Sequence, residues 1–323
     1  MDRAAATKAS RVLVDNVERV IRGKKEAVEA ATTALFAGGH LLIEDVPGVG
    51  KTMLGRAIAR SVQGSFKRIQ ATPDLLPADI TGTSIFDQVK REFEFMPGPV
   101  FANIVLVDEI NRTTPRTQSA LLEAMDENAV TTDGVRRSLP DPLFVIATQN
   151  PLEHHGTYPL PEGQLDRFAI SMGMGYASLE TEREIVTAQL KSHPIDDLES
   201  VLTPDEVIGV RRAVRATHVA QSVLDYALQV VGATRRHDDL EIGASSRASV
   251  SFVRCAQARA LLQGRDYVIP DDVKALAGPC LAHRVMPVAG LRLERGRASQ
   301  VVQEILDATS VPVTGSPPPP PER

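Results

Sequence analysis

The stretch GHLLIEDVPGVGKTMLGRAIAR, Gly39 to Arg60, restricts the fold more than any other part of this chain. An apolar run, a turn carrying two glycines, a Lys-Thr pair and then apolar residues at helical spacing read as strand, phosphate-binding loop and helix. In such a loop Gly48 and Gly50 let backbone N–H groups crowd an anion, Lys51 reaches the outer phosphates, and the Thr52 hydroxyl is placed for Mg²⁺. The helix that starts there adds its dipole. One position breaks the usual pattern, because Asp45 stands where glycine is common. That glycine belongs to the turn at the strand end, which Pro47 stiffens here, so no phosphate contact is lost.

Around this unit the chain repeats the same alternation. Apolar residues at helical spacing from Arg11 to Phe36, broken at Gly23, predict two helices before the loop. LLIED, FKRIQAT, IVLVDE, LFVIATQN and FAISMGM read as five buried strands with helical patterns between most of them, which predicts a parallel, doubly wound α/β sheet. Two connections are longer than the sheet needs. The alternation Phe93, Glu94, Phe95 predicts one hairpin and the Asp133-Gly134 pair a second. Phe93 and Phe95 would share one face of the first ribbon, where exposed aromatics suit contact with a partner. From about Ala177 onward the patterns are helical, with a capping box in TPDE (Thr203 to Glu206) and another helix start at PDDV. The expected organisation is a nucleotide-binding α/β domain over 1–176, a helical lid over 177–308 and a disordered Pro-rich tail over 309–323.

A second motif gives the loop its chemistry. NIVLVDEINR is an apolar strand ending in two acids, which puts Asp108 and Glu109 at the carboxyl edge of the sheet, where α/β folds bind ligands. Asp108 would hold Mg²⁺ together with Thr52, and Glu109 would orient or deprotonate the attacking water. The fourth strand ends in Gln149 and Asn150, and the Asn150 amide is placed to contact the γ-phosphate or the water. Together these residues predict a Mg²⁺-dependent ATP hydrolase.

Bulk properties narrow the setting. A net charge of -5 gives no basic field for nucleic acid. Cys255 and Cys280 form no Cys-x-x-Cys pair and suit packing in a reducing compartment. No signal-like or membrane-spanning apolar run is present, so the chain is expected to be cytoplasmic. His154-His155 have no third ligand spaced to complete a metal site and read as loop residues.

The segments VIRGKKEAVEAATTALFAGGHLLIEDVPGVGKT, TPDLLPADITG, GPVFANIVLVDEINR, LFVIATQNP and YPLPEGQLDRF resemble the MoxR family of AAA+ ATPases, in order and at matching spacing. The resemblance covers about Val14 to Ala308. It implies an AAA+ P-loop NTPase fold with an all-α lid, ATP and Mg²⁺ as cofactors, and Lys51, Thr52, Asp108 and Glu109 as the Walker A and Walker B residues. It makes Asn150 the sensor 1 residue, Arg167 the arginine finger that enters a neighbouring subunit's site, and Arg247 the sensor 2 arginine on the lid. Val20, Ile21 and Gly23 would line the adenine, and Pro47, Val49 and Met53 complete the nucleotide-binding set with Gly48 and Gly50. Both hairpins would point toward a ring pore. The chain departs from the family pattern at Lys24, where relatives often carry Gln, and at His154-His155.

The resemblance implies a homo-oligomeric ring, expected to be a hexamer, that remodels or matures protein complexes with von Willebrand factor A-domain partners and client proteins. A nucleic-acid motor, or an ATPase subunit serving a chelatase-like enzyme, are the other classes a chain of this kind could enter. The acidic balance and the lack of an interleaved aromatic and basic strip speak against the first.

Overall fold

The computed structural model describes residues 1–150, 156–190, 193–291 and 296–312. His154-His155 and most of the Pro-rich tail lie outside the described residues. Helices α1 (Arg3–Glu18) and α2 (Lys25–Ala37) come first, with Gly23 between them at φ 66°. Strand β1 (Leu41–Glu44) then leads into α3 (Lys51–Ser61) and β2 (Phe66–Gln70). The short α4 (Pro77–Thr81) introduces an antiparallel hairpin, β3 (Gly82–Asp87) and β4 (Glu92–Pro97). After β5 (Ile104–Asp108) and α5 (Pro115–Glu127) a second hairpin follows, β6 (Ala129–Thr132) and β7 (Val135–Ser138). Strand β8 (Phe144–Gln149), the one-turn α6 (Glu162–Leu165) and β9 (Ile170–Met172) close this half.

The central sheet has the order β2-β5-β8-β1-β9 and all its pairings are parallel. The three central strands, β5, β8 and β1, are buried on both faces, which is why they read as unbroken apolar runs, while the edge strand β2 exposes Lys67, Arg68 and Gln70. Leu41, Ile43, Ile104, Leu106, Phe144 and Ile146 pack with α1 to α3, while Leu42, Val105, Val107, Val145 and Ala147 pack with Leu121, Leu122 and Met125 of α5. Each such buried side chain contributes about 1.5–3 kcal/mol. Apolar side chains thus fill the interiors of the central strands, and their charged groups are left to the strand ends.

The C-terminal half is helical: α7 (Leu179–Gln189), α8 (Pro204–Ala216), α9 (Gln221–Thr234), β10 (Leu240–Ile242), α10 (Ser246–Leu262), α11 (Pro270–Leu281), β11 (Met286–Pro287) and α12 (Arg297–Ala308). The two short strands pair antiparallel and, with a β-bridge between His218 and Tyr267, depart from an all-helical lid. The expected capping box is present, with Thr203 accepting from the Glu206 amide and Glu206 from that of Thr203. Cys255 and Cys280 are buried free thiols.

Both predicted hairpins form, the second about Asp133 (φ 54°) and Gly134 (φ 74°). They are joined to each other, since Ser84 Oγ donates to Asp133 Oδ2 at 2.5 Å and the Arg137 guanidinium lies 3.9 Å over the Phe95 ring. This divides the two aromatics expected to act together. Phe95 is half-buried against Phe101 at 5.6 Å, whereas Phe93 is 73% exposed and meets only its cross-strand neighbour Phe86, at 5.3 Å. The cause is position along the ribbon: Phe95 sits toward the base, where the second hairpin covers it.

His40 locks the start of β1 to its neighbours. The Val145 amide donates to Nδ1 at 3.1 Å, so Nε2 carries the proton and donates to the Met125 carbonyl at 3.3 Å. Burial holds this imidazole at a pKa of about 4 against its ordinary 6.5. Between those values the unfolded chain takes up a proton that the folded chain refuses, so stability is retained above pH 6.5 and falls as pH drops from 6.5 to 4. The loss amounts to about 3 kcal/mol. Denaturant titrations across this range should show a shallower acid loss for His40→Asn than for the unaltered chain, and an unchanged slope would rule out this role for His40.

Candidate active site

Where β1 ends, the chain turns through Asp45 to Gly50 and enters α3 with Lys51 as its first helical residue. Gly48 and Gly50 have φ of 86° and 100°, values open to glycine, and a side chain at Gly48 would project into open space. Lys51 Nζ donates to the Asp45 carbonyl at 2.8 Å. Burial lowers the Lys51 pKa from its ordinary value, while the carboxylates of Asp45, Asp108 and Glu109 act to raise it. The ammonium therefore stands partly desolvated beside three acids, ready to exchange them for a polyphosphate.

The structure explains Asp45. Its Oδ2 accepts from the Met174 and Gly175 amides, both at 2.6 Å, and its Oδ1 accepts from the Val46 amide at 2.7 Å. The carboxylate thus ties the first turn of the loop to the chain leaving β9, an anchor that glycine could not supply.

Asp108 and Glu109 stand at the same edge of the sheet, at the end of β5. Asp108 is buried, and its carboxylate accepts from Arg68 Nε at 2.7 Å and from Thr148 Oγ1 at 3.3 Å. Glu109 adopts φ 57° and ψ 48°, the left-handed region that is costly for a residue with a Cβ. Its amide donates to Thr148 Oγ1 at 3.0 Å, and its Oε2 accepts from Gln70 Nε2 at 3.2 Å and Arg112 NH1 at 3.0 Å. Thr148 thereby sets both acids at once. Asn150, also buried, follows β8, which lies between β5 and β1 in the sheet, so it stands between the acids and the phosphate loop. The Thr52 hydroxyl and the Asp108 carboxylate are hard oxygen donors, the chemistry that Mg²⁺ takes.

Beside the loop lies a cleft of about 420 Å³ lined by Val20, Ile21, Gly48, Val49, Gly50 and Met53, and walled on its far side by α7. Gly23 does not line the cleft but lies against α7: a Cβ there would come within 2.6 Å of the Thr181 hydroxyl. Lys24 also lines the cleft, and its Nζ donates to the Gly175 and Tyr176 carbonyls. Of the residues expected beside the adenine, Val20 and Ile21 line this cleft with the loop and Gly23 does not.

Arg167 and Arg247 do not line the cleft either. Both guanidinium groups bind Asp126, Arg167 NH1 at 3.1 Å and Arg247 NH1 at 3.1 and 3.2 Å. Asp126 adjoins Met125, whose carbonyl bonds His40 just before β1, and Arg167 comes just before β9. The two arginines thus stand at the amino edge of the sheet and Lys51 at its carboxyl edge. The length of β1, about 13 Å at ~3.3 Å per residue, lies between.

Residues 40–170 match the ATPase family associated with various cellular activities (AAA), and residues 232–305 match the AAA lid domain. The chain is 40% identical to Chaperone MoxR1 of Mycobacterium tuberculosis over 92% of its own length and 80% of that protein's. This chain belongs to the MoxR family of AAA+ ATPases. It is also 50% identical to YeaC of Bacillus subtilis, an uncharacterized protein, over 94% of this chain and 95% of that one. A crystal structure from Cytophaga hutchinsonii assigned as an ATPase shares the fold at a TM-score of 0.88 and 34% identity, covering 96% of this chain and 97% of that one.

For a MoxR ATPase the glycine-bearing loop and the two acids that end β5 were readable along the chain. Arg68, Gln70, Arg112, Thr148 and Asp126 were not. FKRIQAT read only as a strand, and nothing local marks which of its polar side chains faces Asp108. The Asp45 anchor can be tested directly. Asp45→Gly, which would complete the usual loop pattern, leaves three N–H groups without their acceptor and should cost about 2 kcal/mol. We expect a melting temperature lower by several degrees and weaker binding of a fluorescent ATP analogue; equal or tighter binding would refute the anchor.

Proposed function

We propose that this MoxR-family chain is a Mg²⁺-dependent ATP hydrolase that acts as a homo-oligomeric, hexameric ring and remodels or matures protein complexes in the cytoplasm. Residues 1–176 form its nucleotide-binding domain and 177–308 its lid. Among the described residues no helix is long and apolar enough to cross a membrane. The observation that carries this reading is the separation of Arg167 and Arg247 from Lys51 of their own chain. Two arginines with family roles in hydrolysis stand at the opposite edge of the sheet from their own phosphate loop, so a neighbouring subunit's loop is their natural target.

In this reading the loop amides and Lys51 bind the phosphates, and Thr52 and Asp108 hold Mg²⁺ once Arg68 yields Asp108. Mg²⁺, when bound, neutralises charge on the phosphates. Glu109, steadied by Gln70 and Arg112, orients the attacking water and takes its proton, while Asn150 contacts water or γ-phosphate. Arg167 and Arg247 meet the charge that develops on the neighbour's nucleotide. Remodelling of client proteins is supported by the likeness to Chaperone MoxR1, and von Willebrand factor A-domain proteins are the proposed adaptors. The net charge of -5 makes nucleic acid a poor substrate.

Two inactive variants test the ring. Glu109→Gln should bind ATP without turning it over, and Arg167→Ala should lose about 10³-fold or more in rate. Mixed together, they create interfaces with an intact Glu109 facing an intact Arg167, and ATPase should return. Silence in mixtures shown to co-assemble would sink the trans assignment. The exposed hairpin gives a second test. Phe93→Ser should abolish stimulation by client while leaving basal hydrolysis and melting temperature unchanged, whereas Phe95→Ser should lower the melting temperature through loss of its packing. Client stimulation that survives Phe93→Ser would remove this residue from the contact.

A further inference from the structure

The Asp126 carboxylate does something that a lone surface ion pair does not, because it is shared. Two guanidinium groups from distant parts of the chain, Arg167 ahead of β9 and Arg247 in the first turn of α10, converge on its two oxygens. Without an anion between them, two like charges so close would repel and splay, since each ends a long flexible side chain. Asp126 itself is in the last turn of α5, whose end His40 fixes to the sheet through the Met125 carbonyl.

A second, parallel link runs beside the first. Asp166, the residue before Arg167, accepts from Ser245 Oγ at 2.8 Å, and Ser245 is the N-cap of α10, two residues before Arg247. The other Asp166 oxygen lies 3.6 Å from Nε of the buried Arg284. The loop that carries Arg167 and the helix that carries Arg247 are therefore tied twice, once through Asp126 and once through Ser245. The tips remain available: the Arg167 and Arg247 side chains are 27% and 50% exposed.

We propose that Asp126 is a positioning residue for hydrolysis in the neighbouring subunit, holding Arg167 and Arg247 side by side as one two-pronged cation. This rests on the reading above, in which both arginines act in trans. Asp126 does not touch nucleotide. It sets the spacing and direction of the groups that do, and the Asp166–Ser245 bond makes any movement of α10 carry both prongs together. A misplacement of about 1 Å in such a pair can cost about 10²-fold in rate.

The test uses the full-length assembled protein. Asp126→Asn keeps the shape and one acceptor but loses the charge; Asp126→Ala loses both. We expect kcat to fall about 10²-fold for Asp126→Ala and less for Asp126→Asn, with the KM for ATP within threefold of the unaltered value. The decisive readout is complementation. Asp126→Ala mixed with Glu109→Gln should regain ATPase, because the first supplies a sound nucleotide site and the second sound arginines. Asp126→Ala mixed with Arg167→Ala should stay silent, since both are damaged on the same side of the interface. If Asp126 merely supported its own subunit's fold or nucleotide site, the first mixture would stay silent. Should Asp126→Ala fail to fold, the same mixtures made with Asp126→Asn decide the matter. Unchanged or raised kcat in Asp126→Asn, or recovery with Arg167→Ala, overturns the proposal while leaving the trans reading standing. If Arg167→Ala with Glu109→Gln is itself silent in co-assembled rings, both fall together.

Discussion

The burial of the parallel sheet on both faces is the constraint on which the rest of this molecule depends. A strand such as β5, with Ile104 to Val107 all buried, can carry no charge along its length, so its first charged group falls at its end. The same holds for β1 and β8, and because the three are adjacent and parallel, their ends align. Asp108 and Glu109, Asn150 and the phosphate loop are brought to one edge by packing alone. At that edge the polar groups then organise one another: Thr148 bonds both acids, and Asp45 joins the loop to the exit of β9.

The opposite edge follows the same logic. His40, the loop before β9 and the end of α5 lie where the strands begin, and there the polar groups are Asp126, Asp166, Arg167 and, from the lid, Arg247 and Ser245. One sheet thus has two polar margins of different chemistry, acids with a phosphate loop on one and paired guanidinium groups on the other. In the ring proposed above, head-to-tail stacking would bring the second margin of one copy against the first of the next.

Much of this could be read from the chain because its signals are local. The glycines and Lys51 lie within a few residues, the acids end a single apolar run, and the hairpin turns are marked by Asp133-Gly134 and by the alternation about Phe93. What could not be read depends on partners far away in sequence. Asp45 looked like a blemish in a motif because its partners, Met174 and Gly175, lie 129 and 130 residues further on. Arg68 and Asp108 are 40 apart, and Asp126 and Arg247 are 121 apart. Phe95 was grouped with Phe93 because they alternate alike, and only the approach of the second hairpin distinguishes them.

Helix α7 walls the base cleft yet has no buried residue of its own, and Leu179, Val186 and Leu190 are exposed. Its attachment to the body is correspondingly slight, so it belongs to the part of the fold that opens at low free energy. If the cleft takes the base of the proposed nucleotide, entry and exit would need only local melting of this helix, with the sheet and its two polar margins left intact. In the proposed cycle the residence time of ADP would then be a property of one thin wall, adjustable by single surface substitutions.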